Sequence, residues 1–287
     1  MIIDVHHHPI YFEEIIESNE ELDFRKKEFG TFKQSPHPLE QVFIEMNYTK
    51  VNKLVLLPED ISTVKNGYII SNEQIKKLVD MNPDKFIGFA SVDPAREDAL
   101  ETLDYAFKNL NLKGLKLHPS KQKFYPNEDK LKNIYDLCIA YNKPIMFHSG
   151  MTWQSDAPAK YSRPINFEEV AINYPDLRFC LAHFGWPWMH ETIMLLLKYP
   201  NVYTDTSLLH MDDAYSFFKQ LFTENMGPLW IDRNLQNKVM FGTNAPRFRA
   251  KRLLPALYKI GFKEKTLNKI LSENAERFLG LEERGNK

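Results

Sequence analysis

The sequence predicts an α/β fold: a single (β/α)8 barrel of the TIM type with a C-terminal helix, spanning residues 1–287 as one domain. Three observations predict it. Eight short β-rich runs are separated mostly by helix-like stretches, the alternation that builds parallel βαβ units. The length of 287 residues suits eight such units, which close at about 250 residues, with a terminal helix and insertions besides. No linker, internal repeat or low-complexity tract divides the chain. The competing architecture, an open doubly wound sheet, lacks the Gly-rich phosphate turn expected after its first strand.

The strand runs are MIIDVHHH, VNKLVLLP, FIGFASVD, LKGLKLHP, KPIMFHSG, RFCLAHFG, NVYTDTS and NKVMFGTN, in chain order. The clearest helix between them is PNEDKLKNIYDLCIAYN, where Leu131, Ile134, Tyr135, Leu137 and Cys138 share a face. Asn127, followed by Glu128 and Asp129, reads as its capped first turn. EKTLNKILSENAERFLG supplies the C-terminal helix. Two segments fit neither pattern and read as insertions: a charged, turn-rich stretch from Glu13 to Pro38, and Met151 to Pro164.

Composition narrows the function classes. Hydrophobic residues make up 43% and charged residues 26%, ordinary for a globular domain. A formal net charge of −1 offers no basic field for nucleic acid. No apolar run reaches the roughly 18–20 residues of a membrane span, and no signal peptide precedes the first strand. The two cysteines, Cys138 and Cys180, are too few for a secreted disulfide framework and read as buried thiols of a cytoplasmic protein. The partner expected is a small-molecule substrate.

Chemistry concentrates at strand ends. Side chains in a strand alternate faces, so in IIDVHHH the alternation sets Asp4, His6 and His8 toward the barrel interior and Ile3, Val5 and His7 toward the helices. Two core imidazoles or a metal site explain His6 and His8 equally well on their own. The fifth strand ends at His148 and the sixth at His183, each before a glycine-containing turn, which places both on the rim where barrel enzymes build their sites. Four histidines at three strand ends favour a metal over unrelated core histidines. Neutral imidazole is a ligand of zinc and similar transition metals.

These motifs resemble the amidohydrolase superfamily, in the amidohydrolase-related branch that includes aminocarboxymuconate semialdehyde decarboxylase-like enzymes. The resemblance rests on DVHHHP, KGLKLHP, PIMFHSG, LAHFG, VYTDTS, MFGTNAPR and ILSENAERFLGL, in that order. It implies that His6, His8 and His148 ligate a metal, Zn2+ or another divalent transition metal. It implies that His183 is an acid/base or carbonyl-polarising residue, or a ligand to a second ion. The eighth-strand position where the family pattern has aspartate is Asn244, which cannot act as a base. Three explanations stay open: His183 supplies the proton chemistry, catalysis is lost, or an aspartate was changed to asparagine.

Lys116 and His118 share a face of the fourth strand and are assigned to substrate binding. In some branches a lysine at this position is carboxylated and bridges two metals; the alternatives are pairing with a substrate carboxylate or with Asp4. Arg247 reads as a carboxylate clamp and Trp153 as a pocket wall. Arg163 is a second clamp candidate or a surface ion pair. Trp186 and Trp188 wall the pocket, pack loops or form a subunit contact, so a homodimer is compatible. Asp205 reads as a hydrogen-bond acceptor behind the site. His37, His190 and His210 read as surface or cap residues, and Lys121 and Lys123 as a solvated basic face. The function expected is metal-dependent hydrolysis of a small amide, ester or lactone. Non-oxidative decarboxylation on the same site is the alternative, and a metal-binding protein without catalysis is the third reading.

Overall fold

Whether eight strands close into a cylinder depends on hydrogen bonds between the first strand and the last. A computed structural model describes residues 1–207 and 212–281, so His210 lies outside the described residues. The strands in chain order are β1 (Ile3–His7), β2 (Lys53–Leu56), β3 (Glu59–Asp60), β4 (Tyr68–Ile70), β5 (Phe86–Gly88), β6 (Ala90–Ser91), β7 (Leu115–Leu117), β8 (Ile145–Phe147), β9 (Phe179–Leu181), β10 (Val202–Asp205) and β11 (Val239–Met240). β3 and β4 form an antiparallel hairpin beside the barrel. The others pair in parallel, in the orders β1-β2-β5 and β6-β7-β8-β9-β10-β11. β5 and β6 are one stave interrupted at Phe89, whose N–H donates to the Leu56 carbonyl at 3.0 Å while the Ala90 N–H donates to Gly114 at 2.7 Å. The other seam closes where the Val5 N–H donates to the Phe241 carbonyl at 3.0 Å and His7 bridges Ala245. The fold is a closed (β/α)8 barrel, and the open sheet is excluded.

Apolar side chains divide between two layers. Leu54, Leu56, Leu115, Leu117, Ile145, Phe147, Phe179, Leu181 and Val239 face the helices. Ile3, Val5, Val55, Met146, Cys180, Tyr203 and Met240 fill the barrel with Ala275, Phe278 and Leu279 of the helix Asn274–Leu279. That helix plugs the amino-terminal end of the barrel, where Arg178, one residue before β9, donates from Nε to the Phe278 carbonyl at 2.8 Å. Nearly the whole interior below the rim is therefore dry, and polar chemistry is confined to the carboxyl ends of the strands.

β1 departs from simple alternation. Asp4 is opposite Leu54 and His7 is opposite Leu56, so three steps on β1 match two on β2. This bulge puts Val5 and His6 both inward. His6 and His8 face the site as expected, and His7 does not join them. Asp4, Ile3 and Val5 are corrected: Asp4 faces outward, held by the Thr243 N–H at 2.9 Å and the Thr243 hydroxyl at 2.6 Å, while Ile3 and Val5, expected toward the helices, face the barrel interior.

The insertion from Glu13 to Pro38 is more ordered than its composition indicates. It carries the helix Asn19–Phe29, whose first turn is capped by Ser18 Oγ accepting from the Glu21 N–H. Asn127 is not the cap of its helix; its amide donates to Glu169 at 2.9 Å, and a short 3-10 turn, Asp129–Leu131, leads into the helix Lys132–Ala140 instead. Leu131, Ile134, Tyr135 and Cys138 are buried on one face, as their spacing predicts. Among the described residues, no helix is long and apolar enough to cross a membrane.

Candidate functional site

The site sits at the carboxyl-end rim and is assembled from turns that follow the strands. Two glycines make these turns. Gly150 comes two residues after His148 at φ 88°, and a Cβ there would collide with the Trp186 backbone carbonyl. Gly185 comes two residues after His183 at φ 65°, where a Cβ would collide with Thr192 and Pro164. The loops after β8 and β9 are thus packed backbone to backbone. His183 and Asn244, both non-glycine, also adopt the left-handed conformation, each at φ 61°. Such outliers concentrate at functional sites because the surrounding structure must hold them there.

Five imidazoles line one cavity: His6, His8, His118, His148 and His183. All are at least nine-tenths buried. Burial holds His6, His8, His118 and His148 well below the ordinary histidine pKa. Burial also lowers His183, to about 4, against the opposing pull of the Asp205 carboxylate. Neutral imidazole carries one proton, and the partners assign its place. His6 Nδ1 faces Asp205 Oδ2 at 2.8 Å, His8 Nδ1 faces the Leu57 carbonyl at 3.0 Å, and His183 Nδ1 faces the Ser207 carbonyl at 2.7 Å. Each of these acceptors can only accept, so each Nδ1 carries the proton and each Nε2 keeps a lone pair. His183 Nε2 is met by His148 Nδ1 at 3.1 Å, which puts the His148 proton on Nδ1 and leaves His148 Nε2 buried without a partner. His6 Nε2 and His8 Nε2, both lone pairs, lie 3.2 Å apart. Three imidazole lone pairs in one cavity are thus left without a donor.

Among the described residues, the group of three whose ligand atoms all lie within 4.8 Å of one another is His6, His183 and Asp205. Asp205, however, accepts from four donors: His6 Nδ1, the His183 N–H, and the N–H and hydroxyl of Ser207. A carboxylate so occupied orients the imidazoles rather than ligating, which agrees with the sequence reading of Asp205.

The other expected residues are placed as follows. Asn244 lines the cavity, with its N–H donating to the His6 carbonyl at 2.8 Å. Lys116 is fully buried and lines it too; burial lowers its pKa to about 8. Pairing with Asp4 is overturned, because Asp4 is on the other face of β1. His118 both caps the turn after β7, accepting from the Lys121 N–H at 3.3 Å, and stacks on His148 with ring centres 3.8 Å apart. Arg247 stacks over Phe29 at 5.1 Å and Trp153 at 5.8 Å, and burial lowers its pKa to about 10. Trp153 is half-exposed at the mouth.

Several expected residues are elsewhere. Arg163 is a surface partner of Glu191. Trp186 packs on Phe217, and Trp188 lies beneath Arg163. His37 is half-buried against Phe12, and His190 is exposed. Lys121 is corrected: it is buried and donates to Glu59 Oε2 at 2.6 Å inside the cavity wall.

Glu59, Lys121, Phe29 and Gln154 line the site without having been anticipated. Glu59 had a usable signal: it follows the second strand run as His148 follows the fifth. Phe29 and Gln154 had none, because both come from insertions. The two insertions meet at the mouth, where Gln154 donates to the Glu28 carbonyl at 3.0 Å, and Arg247 reaches the same segment by donating to the Phe29 carbonyl at 2.5 Å. The cavity is about 30 Å³, room for an ion and a water molecule. A larger cavity, about 550 Å³, lies on the helix side of β1 and touches the site only through His8.

A family model described as amidohydrolase matches residues 3–281. Protein fluG of Emericella nidulans is 34% identical over 64 residues, which is 22% of this chain and 7% of that relative, so the chain spans a small part of its length. Among solved structures, an uncharacterized TIM-barrel protein, Bb4693, from Bordetella bronchiseptica superposes with a TM-score of 0.74 at 22% identity, covering 97% of this chain and 98% of that one. The 5-carboxyvanillate decarboxylase LigW from Sphingomonas paucimobilis superposes at 0.65 and 12% identity, covering 97% and 98%.

Proposed function

The chain belongs to the amidohydrolase family, and on that premise we propose that it is a metal-dependent hydrolase of a small organic substrate with an amide, ester or lactone bond. The observation that carries the reading is the placement of protons on His6, His8 and His148, which leaves three Nε2 lone pairs without a donor. His6, His8 and His148 would hold the ion, with zinc assigned from the all-nitrogen donor set, and Asn244 lines the same cavity. When bound, such an ion polarises a substrate carbonyl and makes water more acidic.

The chain's own residues supply the rest. Asp205 holds His6 by Nδ1 and the His183 backbone by its N–H. The Ser207 carbonyl holds the His183 Nδ1 proton, so Nε2 is the His183 atom open to proton transfer, and it serves attacking water and leaving group only when it gives up the hydrogen bond it accepts from His148 Nδ1. Asp205 stabilises the imidazolium that forms, as an orienting carboxylate does beside a histidine base. Asn244 is neutral and takes no part in proton transfer. Lys116 and Arg247 orient the substrate.

The same residues would serve non-oxidative decarboxylation, the activity in the name of the LigW neighbour. The test is turnover by metal-reconstituted protein on a panel of lactones, esters, amides and carboxylated aromatics. Release of acid from a hydrolysable bond is the result expected. Carbon dioxide release replaces hydrolysis with decarboxylation. Bound metal without turnover, both before and after Asn244→Asp, overturns the enzymatic reading.

A further inference from the structure

β10 ends in Asp205, and two residues further the hydroxyl of Ser207 stands between imidazoles carried by two other strands. Ser207 is fully buried. Its Oγ lies 2.5 Å from Asp205 Oδ1, 2.9 Å from His183 Nδ1 and 3.1 Å from His6 Nδ1. A hydroxyl has one proton to donate and two lone pairs with which to accept. The Asp205 carboxylate can only accept, so the hydroxyl proton goes there. Oγ then meets both rings as an acceptor, and its two lone pairs take the two Nδ1 protons. Every bonding place on this oxygen is used. The same count gives a second reason for the tautomers of His6 and His183, because an unprotonated Nδ1 on either ring would set lone pair against lone pair.

His6 belongs to β1 and His183 to the turn after β9, and their ring centres are 4.8 Å apart. Each Nδ1 proton already has one acceptor, Asp205 Oδ2 at 2.8 Å for His6 and the Ser207 carbonyl at 2.7 Å for His183. A ring held by one hydrogen bond can still turn about that bond. A second acceptor off its axis, shared in a three-centre bond, removes that freedom. Here the second acceptor of both rings is the same atom. We infer that Ser207 is a positioning residue whose hydroxyl ties His6 to His183, so that the Nε2 atoms of the proposed ligand and the proposed base keep a fixed relation. The inference rests on the roles proposed above for these two histidines. Shape alone would be met by cysteine, which is nearly isosteric with serine but a weak acceptor. The tie requires oxygen.

The test is NMR of chelator-treated protein labelled with nitrogen-15 in its histidine rings, for the native sequence and for Ser207→Ala, Ser207→Cys and Ser207→Thr. In Ser207→Ala and Ser207→Cys the Nδ1 protons of both His6 and His183 are expected to exchange with water about 3–10-fold faster, the factor that one lost hydrogen bond gives. His8, whose Nδ1 proton is held by the Leu57 carbonyl, is the internal control and should not respond. Ser207→Thr keeps the hydroxyl and is expected to retain slow exchange at both rings. Competition with a chromophoric chelator then gives zinc affinity, expected to fall about 10-fold in Ser207→Ala. Circular dichroism checks that each variant folds, and Ser207→Cys serves if Ser207→Ala does not. Unchanged exchange at both rings, a change at only one of them, or a loss in Ser207→Thr equal to that in Ser207→Ala overturns the inference. The chelator-treated arm keeps the two readings apart. Linked changes at His6 and His183 in a protein that takes up no zinc sink the metal reading alone. Zinc uptake with ring protons indifferent to Ser207 sinks this inference alone.

Discussion

His6 and His8 face each other through Nε2 atoms 3.2 Å apart, and neither atom carries the proton that would make the contact a hydrogen bond. The protons are on the far side of each ring, held by Asp205 and by the Leu57 carbonyl. Protein purified without chelator is expected to hold a transition metal near one equivalent by elemental analysis. His6→Ala and His8→Ala should each remove it. Adding the metal to stripped protein should raise Tm, by about 2.7 kcal/mol of stability at 100 times Kd. An unchanged Tm and no metal would refute the site.

Asp205 orients His6, a ligand proposed for the metal. Asp205→Asn is expected to release the His6 ring and weaken metal affinity by about 10–100-fold, measured by competition with a chromophoric chelator. The His6 ligand remains in place, so binding should be weakened and not lost. Unaltered affinity would show that the carboxylate has no orienting role.

Lys116 gives a pH dependence whose sign is set by burial. Its folded-state pKa is about 8, against an ordinary value of 10.5. Between those values the unfolded chain keeps a proton that the folded chain has shed, so this group's contribution to stability rises with pH. Below about pH 8 both states are protonated and the cost of the buried cation is full, about 3 kcal/mol. Lys116→Met should therefore stabilise the protein at pH 7, and the gain should fade as pH rises from 8 to above 10.5. Urea denaturation at several pH values measures it, and a gain that does not change with pH would be the wrong outcome.

Gln154 ties one insertion to the other across the mouth by its bond to the Glu28 carbonyl. Gln154→Ala is expected to speed amide hydrogen exchange in residues 26–31 and 151–156 while leaving the barrel strands unchanged. Exchange that stays equally slow in both segments would mean that their contact does not depend on this bond.

Cys138 and Cys180 are buried free thiols, and burial raises both pKa values above the ordinary range. A thiol-specific chromogenic reagent should label neither in the native protein and both after unfolding. Rapid labelling of the native protein would contradict the packing.

Sequence alone carried the strand order, the rim position of His6, His8, His148 and His183, and the outward turn of His7. These depend on local features: apolar runs of period two, histidines at their carboxyl ends and glycines just beyond. The family resemblance added the neutral replacement at Asn244. Local pattern could not place Asp4, because a bulge in β1 is set by pairing with β2 and not by the sequence of β1. Nor could it show that Lys121, which looks like a solvated charge, is buried on Glu59, since the two are 62 residues apart. The tautomers of the histidines, the contact of Gln154 with the Glu28 carbonyl at the mouth, and the full burial of Lys116 were decided only by the tertiary structure. Each of these depends on which atoms meet across distant segments, and hydrogen bonding and desolvation act through that proximity, not along the chain.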